Sequence, residues 1–234
     1  MPNKPCYCMN KQFRKLSNII KKIADSFDNS NLLTILAGIT IFLTLYSYVL
    51  EPYKSKKTKH YQLWQVVNLP EGKGGSWGRI DALQELNKDG ISLSGVDLSG
   101  ASLQYIDLNK ANLFKANFQE ADLLEATLME ANLEEANLEN AFLQEAKFQG
   151  ANLKGAIFKR AELPKANLRG ADLKDANLLK SHLYDADLRK ADLRRVRVNI
   201  ENLLEVKTLY EAKLDKEILE TIRKEKPELL EPPN

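Results

Sequence analysis

Between Ile91 and Arg195 the chain repeats one five-residue phrase without losing register, and neither ordinary secondary structure accommodates such a period. Of the 21 residues at every fifth position from Leu93 to Leu193, all are Leu except Phe118, Phe148 and Phe158. Two residues before each Leu lies a small residue: of 19 such positions from Ala101 to Ala191, 17 are Ala, the exceptions being Ile106 and Ser181. Between the two comes Asp or Asn more often than not, as in Asp97, Asn112, Asn117, Asn132, Asn137, Asn152 and Asn167. On an α-helix five residues advance about 500°, so successive Leu would rotate by ~140° and smear around the cylinder. On a strand, an odd spacing would send alternate Leu to opposite faces. The chain therefore turns a corner about every five residues, so that each Leu faces a common axis. Such a chain is a solenoid, in which each coil covers the next coil's apolar interior and pairs with its backbone. The small residue fits a narrow interior with room for one large side chain per side.

The phrase Ala-(Asp/Asn)-Leu-x-x, in 21 in-register copies, closely resembles that of the pentapeptide-repeat family. The resemblance implies an all-β solenoid: a right-handed quadrilateral β-helix with four phrases, roughly 20 residues, per coil. With the run Arg79-Ile80-Asp81-Ala82-Leu83-Gln84-Glu85-Leu86 leading into the repeats, the chain also resembles membrane-anchored members from cyanobacteria, for which no activity is established.

The segments before the repeats read differently. In residues 1–30, Phe13, Leu16, Ile20, Ile23 and Phe27 recur at helical spacing, with Lys11, Arg14, Lys15, Lys21 and Lys22 on the remaining surface. That pattern predicts a basic amphipathic helix suited to an anionic membrane interface. Residues 31–51 contain Leu32–Leu50, an uncharged run of 19 residues. As a helix it is about 28 Å long, close to hydrocarbon thickness, which predicts a single transmembrane helix and a membrane localisation. In residues 52–77, Lys54, Lys56, Lys57 and Lys59 form a juxtamembrane basic cluster, followed by an apolar-rich segment (Tyr61, Leu63, Trp64, Val66, Val67) and a Gly-rich linker. Five cations before the apolar run against four after it leave the orientation undetermined by charge. Cys6 and Cys8, the two cysteines, lie in the N-terminal tail, and a lone Cys-x-Cys pair is poor evidence for metal.

Both ends of the solenoid carry helical signals. Residues 78–90 place Ile80, Leu83 and Leu86 at three-residue spacing before Gly90, predicting a helix that covers the first coil. The repeat occupies residues 91–198. In residues 199–234 Asp215 is positioned as an N-cap, with Leu214 and Leu219 as a hydrophobic staple, for a second capping helix that ends near Pro227. An uncapped solenoid end would pair with another molecule.

The Leu and Ala positions specify the rod, so function is expected at the remaining ones. One expected surface is an outward apolar column, Tyr105, Leu124, Phe142, Pro164 and Tyr184, one residue from each successive coil. The second is an acidic band of Glu120, Asp122, Glu125, Glu130, Glu134, Glu135, Glu139 and Glu145, with no Lys or Arg between Gln119 and Ala146. It precedes a stretch from Lys147 to Val198 with 13 bases and six acids. Neither His60 nor His182 belongs to a catalytic or metal motif, and Gly72-Lys73-Gly74-Gly75 lacks the phosphate-loop pattern. These observations predict a non-enzymatic, membrane-anchored scaffold that uses no cofactor and binds a protein partner or itself. The alternative is a DNA-mimicking regulator of a type II topoisomerase, a role some pentapeptide-repeat proteins have. The formal net charge of +2 gives no reason to expect a nucleic-acid partner.

Overall fold

The computed structural model describes residues 32–69 and 75–232, and records Asn18 and Lys22 as helical. The remaining positions of the basic amphipathic segment, including Lys11, Arg14, Lys15 and Lys21, and the residues Cys6 and Cys8 lie outside the described residues. The chain divides into two compact units, Met1–Tyr61 and Gln62–Asn234.

The first unit contains most of helix α1, which spans Leu32–Val67. Here the sequence expectation is corrected: among the described residues no helix is long and apolar enough to cross a membrane. The helix that includes Leu32–Leu50 does not stop at an apolar boundary. It continues unbroken through Glu51, Lys54, Lys56, Lys57 and Lys59, and Lys56, Lys57 and Lys59 are exposed. Two hydroxyls within the apolar run turn back onto their own helix: Thr44 Oγ1 donates to the Thr40 carbonyl and Ser47 Oγ to that of Thr44.

The second unit is the solenoid with its flanking helices. A parallel bridge recurs at every fifth residue with a register of 20, from Asp97↔Asn117 to Asp172↔Asp192. Four phrases therefore close one coil. The parallel crossovers give the right-handed β-helix expected of such connections. Leu, Phe and Ala of the phrase fill the interior at 0–1% exposure almost without exception, and Phe148 meets Phe158 edge-on with ring centroids 6.1 Å apart.

The phrase satisfies its own backbone, as the coils around Ala101 illustrate. The Ala101 N–H closes a four-residue turn on the Leu98 carbonyl at 3.1 Å. The Asp122 N–H reaches back to the Ala101 carbonyl at 2.9 Å, and the Leu103 and Tyr105 N–H groups reach forward to the carbonyls of Asp122 and Leu124. Only the fourth residue lacks a backbone acceptor, and the Asp or Asn side chain two residues earlier supplies one: Leu124 N–H donates to Asp122 Oδ1 at 3.2 Å. The same bond recurs from Gln119 to Asn117, Glu139 to Asn137 and Lys174 to Asp172. This Asx turn is the physical reason for the Asp/Asn in the phrase.

The fifth residue of each phrase has positive φ, as the third position of a type II turn requires. Gly occupies it at Gly95, Gly100, Gly150, Gly155 and Gly170, but Lys, Glu or Arg occupies most of the others.

Helix α2, Gly75–Lys88, starts before the segment 78–90 expected from sequence. Ala82, Leu83 and Leu86 are buried in the same core as the first coil. Two side chains of α2 hydrogen-bond the first coil: Gln84 Oε1 accepts the Asp107 N–H at 2.9 Å, and Asn87 Nδ2 donates to the Asn109 carbonyl at 3.0 Å. The segment expected to be separate around Trp64 is the last part of α1. There Val67 is buried, and Val66 Cγ1 lies 3.7 Å from where a Cβ on Gly78 would stand.

At the other end β1 (Asn177–Leu178) pairs parallel with β2 (Arg197–Val198), and the short helix α3 (Ile200–Leu203) follows. One extra residue then enters the last coil, whose bridges are Asp187↔Thr208 and Asp192↔Lys213. Helix α4 (Lys216–Glu225) buries Ile222, and the 3-10 turn Pro227–Leu230 buries Leu229, whose carbonyl accepts the Leu209 N–H at 2.7 Å. Asp215 occupies the N-cap position of α4 but makes no side-chain cap bond; its carboxylate instead accepts the Arg195 N–H at 2.7 Å.

Candidate interaction face

The 20-residue register sorts the outward residues onto four sides. Side one carries residues 97–100 and their equivalents in later coils. Side two begins at 102–105, side three at 107–110 and side four at 112–115. Side four follows the phrase most closely, with Asn112, Asn132, Asn152, Asp172 and Asp192 at the second position. Asn152 Nδ2 donates to Asn132 Oδ1 at 3.1 Å, extending a ladder in which Asn112 donates to Ser92.

Side two is the opposite case. Its second-position residues are Ser102, Asp122, Phe142, Glu162 and His182, so one of five is Asp or Asn. Tyr105, Phe142 and Tyr184 stand outward on this side at 61%, 54% and 62% exposure. Leu124 and Pro164 share the side but are half-buried. Pro164 has a structural explanation. It holds the second position of the turn closed by the Ala166 N–H on the Leu163 carbonyl, and it has no N–H for Glu162 to satisfy. The five residues of the expected column therefore lie on one side of the rod but do not form an unbroken strip. Gln144 intervenes in the fourth-position column, and Phe142 sits between Asp122 and Glu162 in the second-position column.

The acidic band, read along the axis, is dispersed around the coil. Glu120 and Glu139 lie on side one, Asp122, Glu125 and Glu145 on side two, Glu130 on side three, and Glu134 and Glu135 on side four. Several of these carboxylates are spanned by a base one coil away: Glu130 by Lys110 at 3.6 Å, Glu135 by Lys115 at 3.1 Å and Glu139 by Lys159 at 3.0 Å. Charge concentrates instead by side. From Gln104 to Asp185, side two carries five acids (Asp122, Glu125, Glu145, Glu162, Asp185) against Lys165 alone, a net of −4. Side three, from Asp107 to Lys190, carries five bases against three acids, a net of +2. Sides one and four balance. Folding the sequence at 20 rather than scanning it linearly is the signal that would have found this.

The electrostatics of the basic end are structural. Arg194 donates two hydrogen bonds to the buried Asp192 carboxyl; these, with its charge and that of Lys174, outweigh burial and hold the carboxyl at about 2. Burial pushes the neighbouring Asp187 carboxyl up, but the hydrogen bonds and charge of Arg189 more than reverse this, leaving it below the ordinary value. Arg195 hydrogen-bonds the exposed Asp175 carboxylate and lowers it likewise. His182 Nδ1 lies 2.8 Å from Glu162. Among the described residues no cluster of three or more His, Cys, Asp or Glu is arranged to hold a metal ion.

A right-handed β-helix built from this phrase defines a class of repeat proteins. Family models agree: one for a pentapeptide repeat region matches residues 101–178, and one for pentapeptide repeats in eight copies matches residues 161–199. The chain belongs to the pentapeptide-repeat family, whose members are generally structural or interaction proteins rather than enzymes. Among solved structures, a pentapeptide repeat protein from the thylakoid lumen of Arabidopsis thaliana is 35% identical over 42% of this chain and 68% of its own, with a TM-score of 0.41. HetL, a pentapeptide repeat protein involved in heterocyst differentiation regulation in the cyanobacterium Nostoc, is 30% identical over 53% of this chain and 61% of its own, with a TM-score of 0.29. QnrB1, a plasmid-mediated fluoroquinolone resistance protein, is 16% identical over 57% of this chain and 82% of its own, with a TM-score of 0.32. No curated protein sequence matches this chain.

Proposed function

We propose that this protein is a non-enzymatic interaction module whose contact surface is side two of the solenoid. The observation that carries the reading is where the phrase breaks. Side four keeps Asp or Asn at five of six second positions, Ser92 being the exception, and side two at one of five, so side two gives up backbone hydrogen bonds that the fold would otherwise make. Departures from local consistency concentrate where something other than folding is selected. Helices α2 and α4 act in this reading as end caps, leaving the sides of the rod as the available surface. The test is affinity capture with the paired substitutions Leu124→Lys and Phe142→Lys, which leave every interior residue in place. Loss of the bound partner with an unchanged circular dichroism spectrum supports the reading. Retention of all partners and of the oligomer size refutes it.

A regulator of a type II topoisomerase by DNA mimicry is the second reading, favoured by the −4 charge of side two. Inhibition or protection of gyrase in a supercoiling assay, abolished by neutralising Asp122, Glu125 and Glu145, would establish it; absence of any effect at micromolar protein would exclude it.

A further inference from the structure

We infer that side two docks an extended, arginine-bearing segment of a partner protein, laid along the solenoid axis with every third residue facing the rod. The inference rests on the interaction reading above and names the chemistry of its partner.

The exposed aromatics lie on alternate coils. The bridges Ser102↔Asp122↔Phe142↔Glu162↔His182 place Tyr105 on one coil, Phe142 two coils on and Tyr184 two further on. Neighbouring coils are hydrogen-bonded strands, ~4.8 Å apart, so the aromatic levels repeat at about 9.6 Å. A polyproline II segment advances ~3.1 Å per residue with three residues per turn, so one side of it repeats at about 9.3 Å. A β-strand of similar rise would turn every third side chain away, because its side chains alternate. The threefold helix therefore presents successive side chains at the levels of Tyr105, Phe142 and Tyr184, which stand in the fifth-, second- and fourth-position columns, so that long side chains are needed to reach all three rings. Aromatic-lined surfaces are an established way to hold such segments.

The charge of the side selects what those side chains are. Glu125 is exposed and Asp185 partly so, and neither has an ion-pair partner among the described residues. Asp122 lies between the levels of Tyr105 and Phe142, and Glu162 between those of Phe142 and Tyr184. A guanidinium stacks on an aromatic ring while its fork reaches a carboxylate, which an ammonium does less well.

The three aromatics also sit where the fold disfavours them. Tyr105 has φ of 62° and is the one aromatic residue at positive φ among the described residues. Phe142 replaces the Asp or Asn that would accept the Gln144 N–H, and His182 does the same for the N–H of Tyr184. Three such departures, all on one side and all exposing a ring, are unexplained by stability and accounted for by docking.

The experiment uses the full chain and a labelled peptide of three Arg-Pro-Pro units, with fluorescence anisotropy as readout. A peptide of equal charge with arginine at every second residue and one with citrulline for arginine are the comparisons. The expected result is binding of the Arg-Pro-Pro peptide about tenfold tighter than either comparison, the scale of one or two stacked cations. Phe142→Asn, which restores the phrase and keeps the protein folded, should abolish that preference without lowering the melting temperature. Equal affinity for both arginine peptides overturns the inference, since charge alone then suffices, as does a preference that survives Phe142→Asn. A photocrosslinking residue at Gln144, compared with one at Gln149 on side three, separates the two levels. Cross-links from Gln144 into a partner segment lacking arginine overturn this inference and leave side two as the contact surface. No cross-link above that from Gln149 overturns both.

Discussion

Adjacent residues Phe142 and Leu143 give the sharpest test of the architecture, because the structure sends their side chains in opposite directions. Leu143 is 0% exposed and Phe142 is 54% exposed. Truncating Leu143 to Ala removes three carbons from the interior, worth ~2.4 kcal/mol at ~0.8 kcal/mol per methylene group. The site has little freedom to collapse onto the void. Its coil is pinned on both sides, by Leu143 N–H to the Glu162 carbonyl at 2.7 Å and by Leu123 N–H to the Phe142 carbonyl at 2.8 Å. A cavity contribution therefore adds to the transfer loss, and Leu143→Ala should cost about 3–5 kcal/mol. Phe142→Lys, one residue away, should stay within about 0.5 kcal/mol of the parent. Urea unfolding followed by circular dichroism measures both differences. Because a solenoid is coupled chiefly through neighbouring coils, amide exchange should also rise for Leu123 and Leu163 before it rises in the terminal coils. A cost below 1 kcal/mol for Leu143→Ala, or a comparable cost for Phe142→Lys, would refute the inward register on which every assignment of sides depends.

Four further outcomes follow from the same geometry. Phe142→Asn restores an acceptor for the Gln144 N–H and should raise stability by about 0.5–1.5 kcal/mol in the same urea titration. At Glu120, with φ of 59°, Gly should be neutral or mildly stabilising and Val should lower the melting temperature, because a β-branched side chain tolerates positive φ least. The Asp192 carboxyl is held at about 2 against an ordinary 3.8, so its stabilisation is intact above pH 4 and lost as the pH falls from about 4 to 2. Half-exposed Arg194 limits that loss to about 1 kcal/mol, and Asp192→Asn should flatten this part of the pH–stability curve. Replacing Gln84 and Asn87 with Leu unpairs the Asp107 N–H and the Asn109 carbonyl on the first coil, and concentration-dependent light scattering should then report association.

The interior of the rod was legible in the sequence, because Leu143 and its equivalents must all face one axis whatever the details of the turn. The Asp/Asn position was visible as a pattern, but its cause was not. That Asp122 holds the N–H of Leu124 follows only once the backbone leaves the fourth residue without an acceptor. The apolar residues from Tyr105 to Tyr184 share one side because of the register of 20, whereas the half-buried state of Leu124 and Pro164 depends on turn geometry that a list of spacings does not contain. The acidic band runs around the rod, not along one side of it. Sequence proximity is proximity around the coil, so Glu120 and Glu135 lie on different sides, while Glu135 and Lys115, 20 residues apart, are in contact. The Leu32–Leu50 run was judged by its own length, and the helix that contains it extends to Val67 through a charged stretch.

The register of 20 makes residue number a phase angle. Inserting or deleting 20 residues anywhere between Ala101 and Ala191 would lengthen or shorten the rod by one coil, ~4.8 Å, and return every later side chain to the side it came from. Inserting five residues preserves the phrase, the core and the hydrogen bonds equally well, yet it rotates everything downstream by a quarter turn. Placed between Tyr105 and Phe142, it would move Phe142 and Tyr184 to a different side from Tyr105 without disturbing a single buried Leu. Folding would pass such a change unnoticed, and only a surface that something reads would register it.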